Sequence, residues 1–296
     1  MSRRQVTVGD RIELCVEDFG DPADPPVLLL AGAAMPMDWW DVDLCRRIAA
    51  GARHVIRYDH RDTGGSTTGP AGAPEYGDDA LHRDALALIE ALGVGPVHMV
   101  GLSSGGGVAQ TVALRRPDVV ATLTLVATAA AGGVDWSSLP GPAEGLAQRF
   151  ENPPPAPRWS DREAYVEWAL DDLRAYAGAI RFDEPRARTL AGEVHDRSID
   201  VAAAANHWIA IERGGSGDDL PPLDVRDLRA PTLVVHGTHD PMFPLPHGEA
   251  LAEAIPGARL LVIEGMGHEV PPPPTWDRFV PALLAHTAQS RSKGSA

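Results

Sequence analysis

Short continuous apolar runs alternate along this chain with segments whose apolar residues recur every three to four positions. That rhythm is the pattern of a parallel sheet covered by helices on both faces. Residues 12–16 read as an early strand, and a Gly/Asp/Pro turn at 20–26 follows. The run Val27-Leu28-Leu29-Leu30-Ala31 predicts a strand buried on both faces, residues 41–50 a helix, and 54–58 the next strand. From 78 to 92, Leu81, Ala85, Leu88 and Leu92 fall on one helical face. Residues 97–100 form another buried run, 104–116 a helix stopped at Pro117, and 121–127 a further strand.

The rhythm then breaks. Residues 132–222 carry many prolines and no convincing buried strand, with helix candidates at 163–177 and 201–212. It resumes with a strand at 232–236, a helix at 246–255, a strand at 260–264 and a helix at 276–288. The expected organisation is one sheet domain in two parts, 1–131 and 223–288, with 132–222 inserted as a helical cap and 289–296 as a flexible tail.

The sharpest chemical signal is Gly101-Leu102-Ser103-Ser104-Gly105, a G-x-S-x-G run between a buried strand and a helix. A sharp strand-to-helix turn holds the central serine hydroxyl above the sheet edge. The two glycines let the flanking backbones approach without a Cβ between them. The helix N-terminus leaves the Ser104 N–H free to stabilise a developing oxyanion. A Walker A phosphate loop is excluded because no Gly-Lys-Ser/Thr follows. The dinucleotide fingerprint is excluded because Gly105, Gly106 and Gly107 have the wrong spacing.

A serine nucleophile needs a general base, and the base needs a partner to fix its tautomer. Asp240 follows the strand at 232–236, and His268 follows the strand at 260–264. Both candidates therefore stand at the carboxyl edge of the sheet, with Ser103, where open α/β sheets build their sites. The loop after the strand at 27–31 supplies a second backbone donor, assigned to Ala33. Of the eleven histidines, His236, His239 and His247 lie near Asp240, but without the helical spacing of a metal site. No metal and no cofactor is expected.

On these residues the chain resembles the α/β-hydrolase family. The stretch Asp59-His60-Arg61-Asp62-Thr63-Gly64-Gly65-Ser66 is similar to that family's D-x-R-G-x-G-x-S. With Phe19-Gly20-Asp21-Pro22-Ala23-Asp24-Pro25, His239-Asp240-Pro241 and Gly265-Met266-Gly267-His268, it is similar to the methylesterase branch serving anthracycline biosynthesis. The resemblance covers residues 5–130 and 229–286 and leaves the segment between them unmatched. It implies an α/β-hydrolase fold with a mostly parallel sheet, flanking helices and a helical cap. One departure is Ala31-Gly32 in place of the family's His-Gly, which leaves the support of the oxyanion loop to be found.

With 44% hydrophobic and 23% charged residues in 296, the chain can bury one large core. A formal net charge of −15 repels phosphate backbones, so nucleic acid is not an expected partner. Two cysteines, Cys15 and Cys45, read as free thiols. The polar start and the short apolar runs point to neither a signal peptide nor a membrane span, so a cytoplasmic location is expected. Eight of the sixteen aromatic residues fall within 132–222. Trp136, Trp168 and Trp208 there, with Trp39 and Trp40 beside the oxyanion loop, are candidate pocket residues. The expected partner is a small-molecule ester with a bulky apolar group, cleaved through an acyl-enzyme, and no oligomeric state follows. The same triad also suits a lactone, thioester, amide or carbon–carbon bond, and a hydrolase-like binding protein without turnover is the rival class. Dehalogenases and epoxide hydrolases of this fold need aspartate where Ser103 stands.

Overall fold

Residues 3–9, 11–214 and 222–288 are described by a computed structural model. The tail expected at 289–296 lies outside the described residues. The first part of the chain runs β1 (Arg4–Val8), β2 (Ile12–Phe19), β3 (Pro26–Leu30), α1 (Val42–Ala49), β4 (His54–Tyr58), α2 (Asp79–Leu92), β5 (Val97–Leu102), α3 (Ser104–Arg115) and β6 (Val120–Val126). Four helices follow: α4 (Glu144–Glu151), α5 (Arg162–Tyr176), α6 (Glu184–Arg197) and α7 (Asn206–Arg213). The chain then returns to the sheet with β7 (Thr232–Gly237), α8 (Leu245–Ala254), β8 (Arg259–Ile263) and α9 (Trp276–Thr287).

The eight strands pair in the order β1-β2-β4-β3-β5-β6-β7-β8. The β1–β2 and β2–β4 pairs are antiparallel and all the others parallel. The apolar runs have a direct structural cause. One face of the sheet packs on Leu81, Leu88, Val108, Val112 and Leu251 from α2, α3 and α8. The other packs on Leu44, Ile48, Phe279 and Leu283 from α1 and α9. Leu28, Leu29 and Leu30 of β3 are all buried, each contributing about 1.5–3 kcal/mol of burial. Because β3 lies between β4 and β5, the chain leaves β3 toward one side and later returns on the other. The loops after β3 and β5 therefore part at the carboxyl edge, the switch point where such sheets open a crevice.

Several elements differ from the sequence expectation. β1 was not foreseen: it pairs with β2 alone at the sheet edge and is mostly exposed, so it carries no buried run. α4 and α6 bury little apolar surface of their own, one residue, Leu146, in α4, and Ala191, Gly192 and Val194 in α6. The helix expected over 201–212 divides into a 3-10 stretch, Val201–Ala205, and α7. Cys15 and Cys45 are free and buried. Among the described residues no helix is long and apolar enough to cross a membrane.

The inserted helices have a small core of their own, where Tyr165, Val166, Leu170, Ala191 and Val194 of α5 and α6 pack with Trp159, Trp168 and Phe182. Polar ties fasten them to two core loops. Arg197 of α6 pairs with Asp38, and through Nη1 with Asp59 at 2.6 Å. Arg186 pairs with Asp41, the N-cap of α1. Asn206 of α7 donates to Asp62 at 2.9 Å and to the Pro70 carbonyl at 3.1 Å. Asp62 stands where the family pattern has glycine and adopts φ 63°. Its carboxylate accepts from Gly69 N–H, Tyr76 Oη–H and Asn206, bonds that hold the left-handed conformation.

Candidate active site

The turn between β5 and α3 begins with a steric requirement. A Cβ on Gly101 would lie 2.6 Å from Gly106 N, and one on Gly105 would lie 2.7 Å from the Leu30 carbonyl oxygen. Strand, helix and neighbouring strand thus meet backbone to backbone, and only glycine fits at the two contact points. Between them Ser103 adopts φ 51° and ψ −122°, a conformation costing a non-glycine residue about 1–3 kcal/mol. Its neighbours fix it there. Ser103 N–H donates to Val126 O at 3.0 Å, and Ser103 O accepts from Gly106 N–H at 2.8 Å and from Thr128 Oγ1–H at 2.8 Å. The strain turns the Ser103 side chain out of the sheet at the N-terminus of α3.

His268 lies between Ser103 and Asp240. Its Nε2 is 2.9 Å from Ser103 Oγ, and its Nδ1 is 3.0 and 3.1 Å from the Asp240 carboxylate oxygens. The carboxylate is itself held, since Oδ1 accepts Met242 N–H at 2.9 Å and Phe243 N–H at 2.8 Å. An aspartate bonded in this way requires the proton on Nδ1 and leaves the Nε2 lone pair facing the hydroxyl. The His268 backbone is anchored by the insertion, its N–H donating to Tyr176 O at 2.9 Å at the end of α5. Ala179 N–H donates to Gly265 O at 2.8 Å in the same loop.

The other histidines near Asp240 have structural partners. His236 Nε2 donates to the Phe243 carbonyl at 2.7 Å, and His247 Nε2 to the Pro140 carbonyl at 2.8 Å. Burial pushes the His236 pKa below its ordinary value. No group of three or more histidine, cysteine, aspartate or glutamate side chains among the described residues is arranged to hold a metal ion.

The loop after β3 passes beside the serine: a Cβ on Gly32 would be 3.6 Å from Ser103 Cβ. The N–H of Ala33 follows in that loop, and the N–H of Ser104 opens α3. Two histidines from elsewhere in the chain contact this loop. His60 Nε2 lies 3.2 Å from the Ala31 carbonyl, and Ala34 N–H donates to His207 Nδ1 at 3.0 Å.

The five candidate tryptophans separate. The Trp136 ring meets Phe243 edge-on at 5.7 Å, and Phe243 meets His268 at 5.4 Å; Trp136 is 45% exposed. Trp39 is half-buried on the 3-10 turn Met37–Trp39. Trp208 is 43% exposed on α7. Trp168 packs on Trp159 at 5.2 Å inside the insertion. Trp40 must be corrected: it has no exposed surface and belongs to the core between β3 and α1, so it cannot line a pocket. Phe243 and Tyr176 have rings that flank His268 at 5.4 and 5.8 Å; Tyr176 is one of the eight aromatics counted in the insertion, whereas sequence reasoning missed Phe243. Neither has a motif, and only the fold brings them to the imidazole.

A strained serine at a strand-to-helix turn, a histidine and a buried carboxylate at the carboxyl edge of this sheet define a class, and the chain belongs to it. The model of the alpha/beta hydrolase fold family matches residues 25–272, and the chain is an enzyme of that family. It is 34% identical over 302 residues to rhodomycin D methylesterase DauP of Streptomyces sp. (strain C5), an alignment spanning 97% of this chain and 98% of the relative. It is 33% identical, with the same coverage, to rhodomycin D methylesterase DnrP of Streptomyces peucetius. Among solved structures, the enol-lactonase from Burkholderia xenovorans LB400 matches with a TM-score of 0.72 at 21% identity, over 97% of this chain and all of that one. At that identity the likeness is one of fold.

Proposed function

We propose that the protein is a serine-dependent carboxylic ester hydrolase that cleaves a methyl ester of a bulky, largely apolar small molecule through an acyl-enzyme. The observation that carries this reading is the imidazole of His268, bonded at one nitrogen to Ser103 and at the other to Asp240. The names of the two methylesterase relatives support a methyl ester in particular.

In this mechanism His268 Nε2 takes the hydroxyl proton as Ser103 Oγ attacks the ester carbonyl. Asp240 stabilises the imidazolium, and the Ala33 and Ser104 N–H groups receive the oxyanion. Collapse of the tetrahedral intermediate breaks the acyl–oxygen bond, and His268 returns the proton to the departing oxygen to release the alcohol. Water then attacks the acyl-enzyme with His268 again as base. Each step uses groups of this chain and water alone. Trp136 and Phe243 form the apolar wall beside the imidazole that favours a bulky acyl group.

The test is hydrolysis of p-nitrophenyl acetate and of a bulky aromatic methyl ester, followed by release of p-nitrophenol and of methanol. Both activities are expected in the wild type and absent from Ser103→Ala. A folded wild type inert to a range of esters would overturn the reading and favour a binding protein.

A further inference from the structure

The oxyanion loop carries a strain that the core alone does not restrain. Residues 32–35 form a tight turn closed by Met35 N–H donating to Gly32 O at 3.2 Å. Its third residue, Ala34, has φ 60°, the pattern of a type II turn, in which that position favours glycine. An alanine held there costs roughly 1–2 kcal/mol. Relaxation would turn the peptide between Ala33 and Ala34 and disturb Ala33, the proposed oxyanion donor.

The Ala34 N–H is held from the inserted helices, by a residue 173 positions away. His207 of α7 accepts it at Nδ1, 3.0 Å away, and its other nitrogen, Nε2, is 2.7 Å from the Arg61 carbonyl on the loop after β4. The ring is fully buried. Both bonds form together in one protonation state only: Nδ1 must carry a lone pair and Nε2 a hydrogen. Burial favours that neutral form, pushing the His207 pKa below its ordinary value. The next ring, His60, lies edge-on at 6.0 Å with Nε2 at the Ala31 carbonyl. The two histidines therefore hold the loop at Ala31 and Ala34, on either side of Ala33.

We infer that His207 is a positioning residue for the oxyanion hole: it clamps the Ala34 N–H and so fixes the Ala33 N–H relative to Ser103. Through His207 the inserted helices thus contribute to the catalytic edge. This inference rests on the serine-hydrolase reading, and its test separates the two.

The two bonds can be removed one at a time. In His207→Asn, the amide oxygen takes the place of Nδ1 and keeps the acceptor for Ala34, while the donor to Arg61 is lost. In His207→Gln, the amide nitrogen takes the place of Nε2 and keeps that donor, while the acceptor for Ala34 is lost. With p-nitrophenyl acetate, His207→Gln is expected to lower kcat about 100-fold with little change in KM, the cost of displacing a catalytic group by about 1 Å. His207→Asn is expected to hold kcat near the wild-type value, although the thermal midpoints of the two variants fall alike. Amide hydrogen exchange reads the loop without activity: Ala34 exchanges faster in His207→Gln and stays protected in His207→Asn. Equal loss of kcat in the two variants, or an Ala34 amide still protected in His207→Gln, would overturn the inference and leave the hydrolase reading intact. Wild-type hydrolysis that survives Ser103→Ala defeats both.

Discussion

Replacing Asp240 by asparagine reverses the His268 tautomer for a reason visible in the hydrogen bonds. Oδ1 accepts two backbone N–H groups, from Met242 and Phe243, so the amide oxygen of the variant must occupy that position. Its NH2 then stands where Oδ2 was, 3.0 Å from His268 Nδ1. It donates there and forces the imidazole proton onto Nε2, facing Ser103 Oγ. The hydroxyl then meets a donor in place of a base. In a triad of this design the wrong tautomer costs about 10⁴-fold in kcat, equivalent to about 5 kcal/mol of barrier. The fold keeps both backbone bonds, now to a neutral acceptor, so stability should fall by only about 1–2 kcal/mol. Stopped-flow and steady-state hydrolysis of p-nitrophenyl acetate would measure the rate, and urea unfolding the stability. A folded Asp240→Asn protein within tenfold of wild-type kcat would refute the tautomer argument, and with it the role given to Asp240.

Three further outcomes follow from packing and charge. Gly101→Ala places a methyl group against the backbone of α3 and should destabilise the fold by about 1–3 kcal/mol; an unchanged urea midpoint would contradict the close approach. Arg197→Met leaves the Asp38 and Asp59 carboxylates, both buried, without their shared guanidinium, although Asp38 retains Arg3. A loss of about 3–5 kcal/mol is expected, and a variant as stable as the wild type would show that the tie between α6 and the core contributes nothing net. Burial holds the His60 pKa down at about 3, from an ordinary 6.5. Between those values the unfolded chain takes up a proton that the folded one refuses, so stability falls as pH falls, by up to about 1.4 kcal/mol per pH unit for this group. His60→Gln should make the slope of unfolding free energy between pH 6 and 4 shallower by about one proton, and an identical slope would refute the assignment.

The parts of this protein that local sequence determined are those whose physics is local. A strand covered on both faces is mostly apolar, so β3 is legible as a run of leucines, and β4 and β5 as the shorter runs Val55-Ile56 and Met99-Val100, although buried His54, Arg57 and His98 interrupt them. A strand-to-helix turn admits only glycine at its two contact points, so Gly101 and Gly105 mark the place of Ser103. The strand ends fix the edge on which Asp240 and His268 stand. Elements that depend on a partner are not legible in this way. β1 exists because β2 offers it an edge, and α6 because α5 and two buried carboxylates receive it. Trp39 and Trp40 are adjacent and alike in sequence, yet one is half-exposed and the other sealed in the core. The bond from Ala34 to His207 joins residues 173 positions apart, and no periodicity or motif records such a pair. Chain pattern determined which groups stand at the sheet edge. Tertiary packing decided which of them meet, because a hydrogen bond depends on distances of a few tenths of an ångström that only the assembled fold sets.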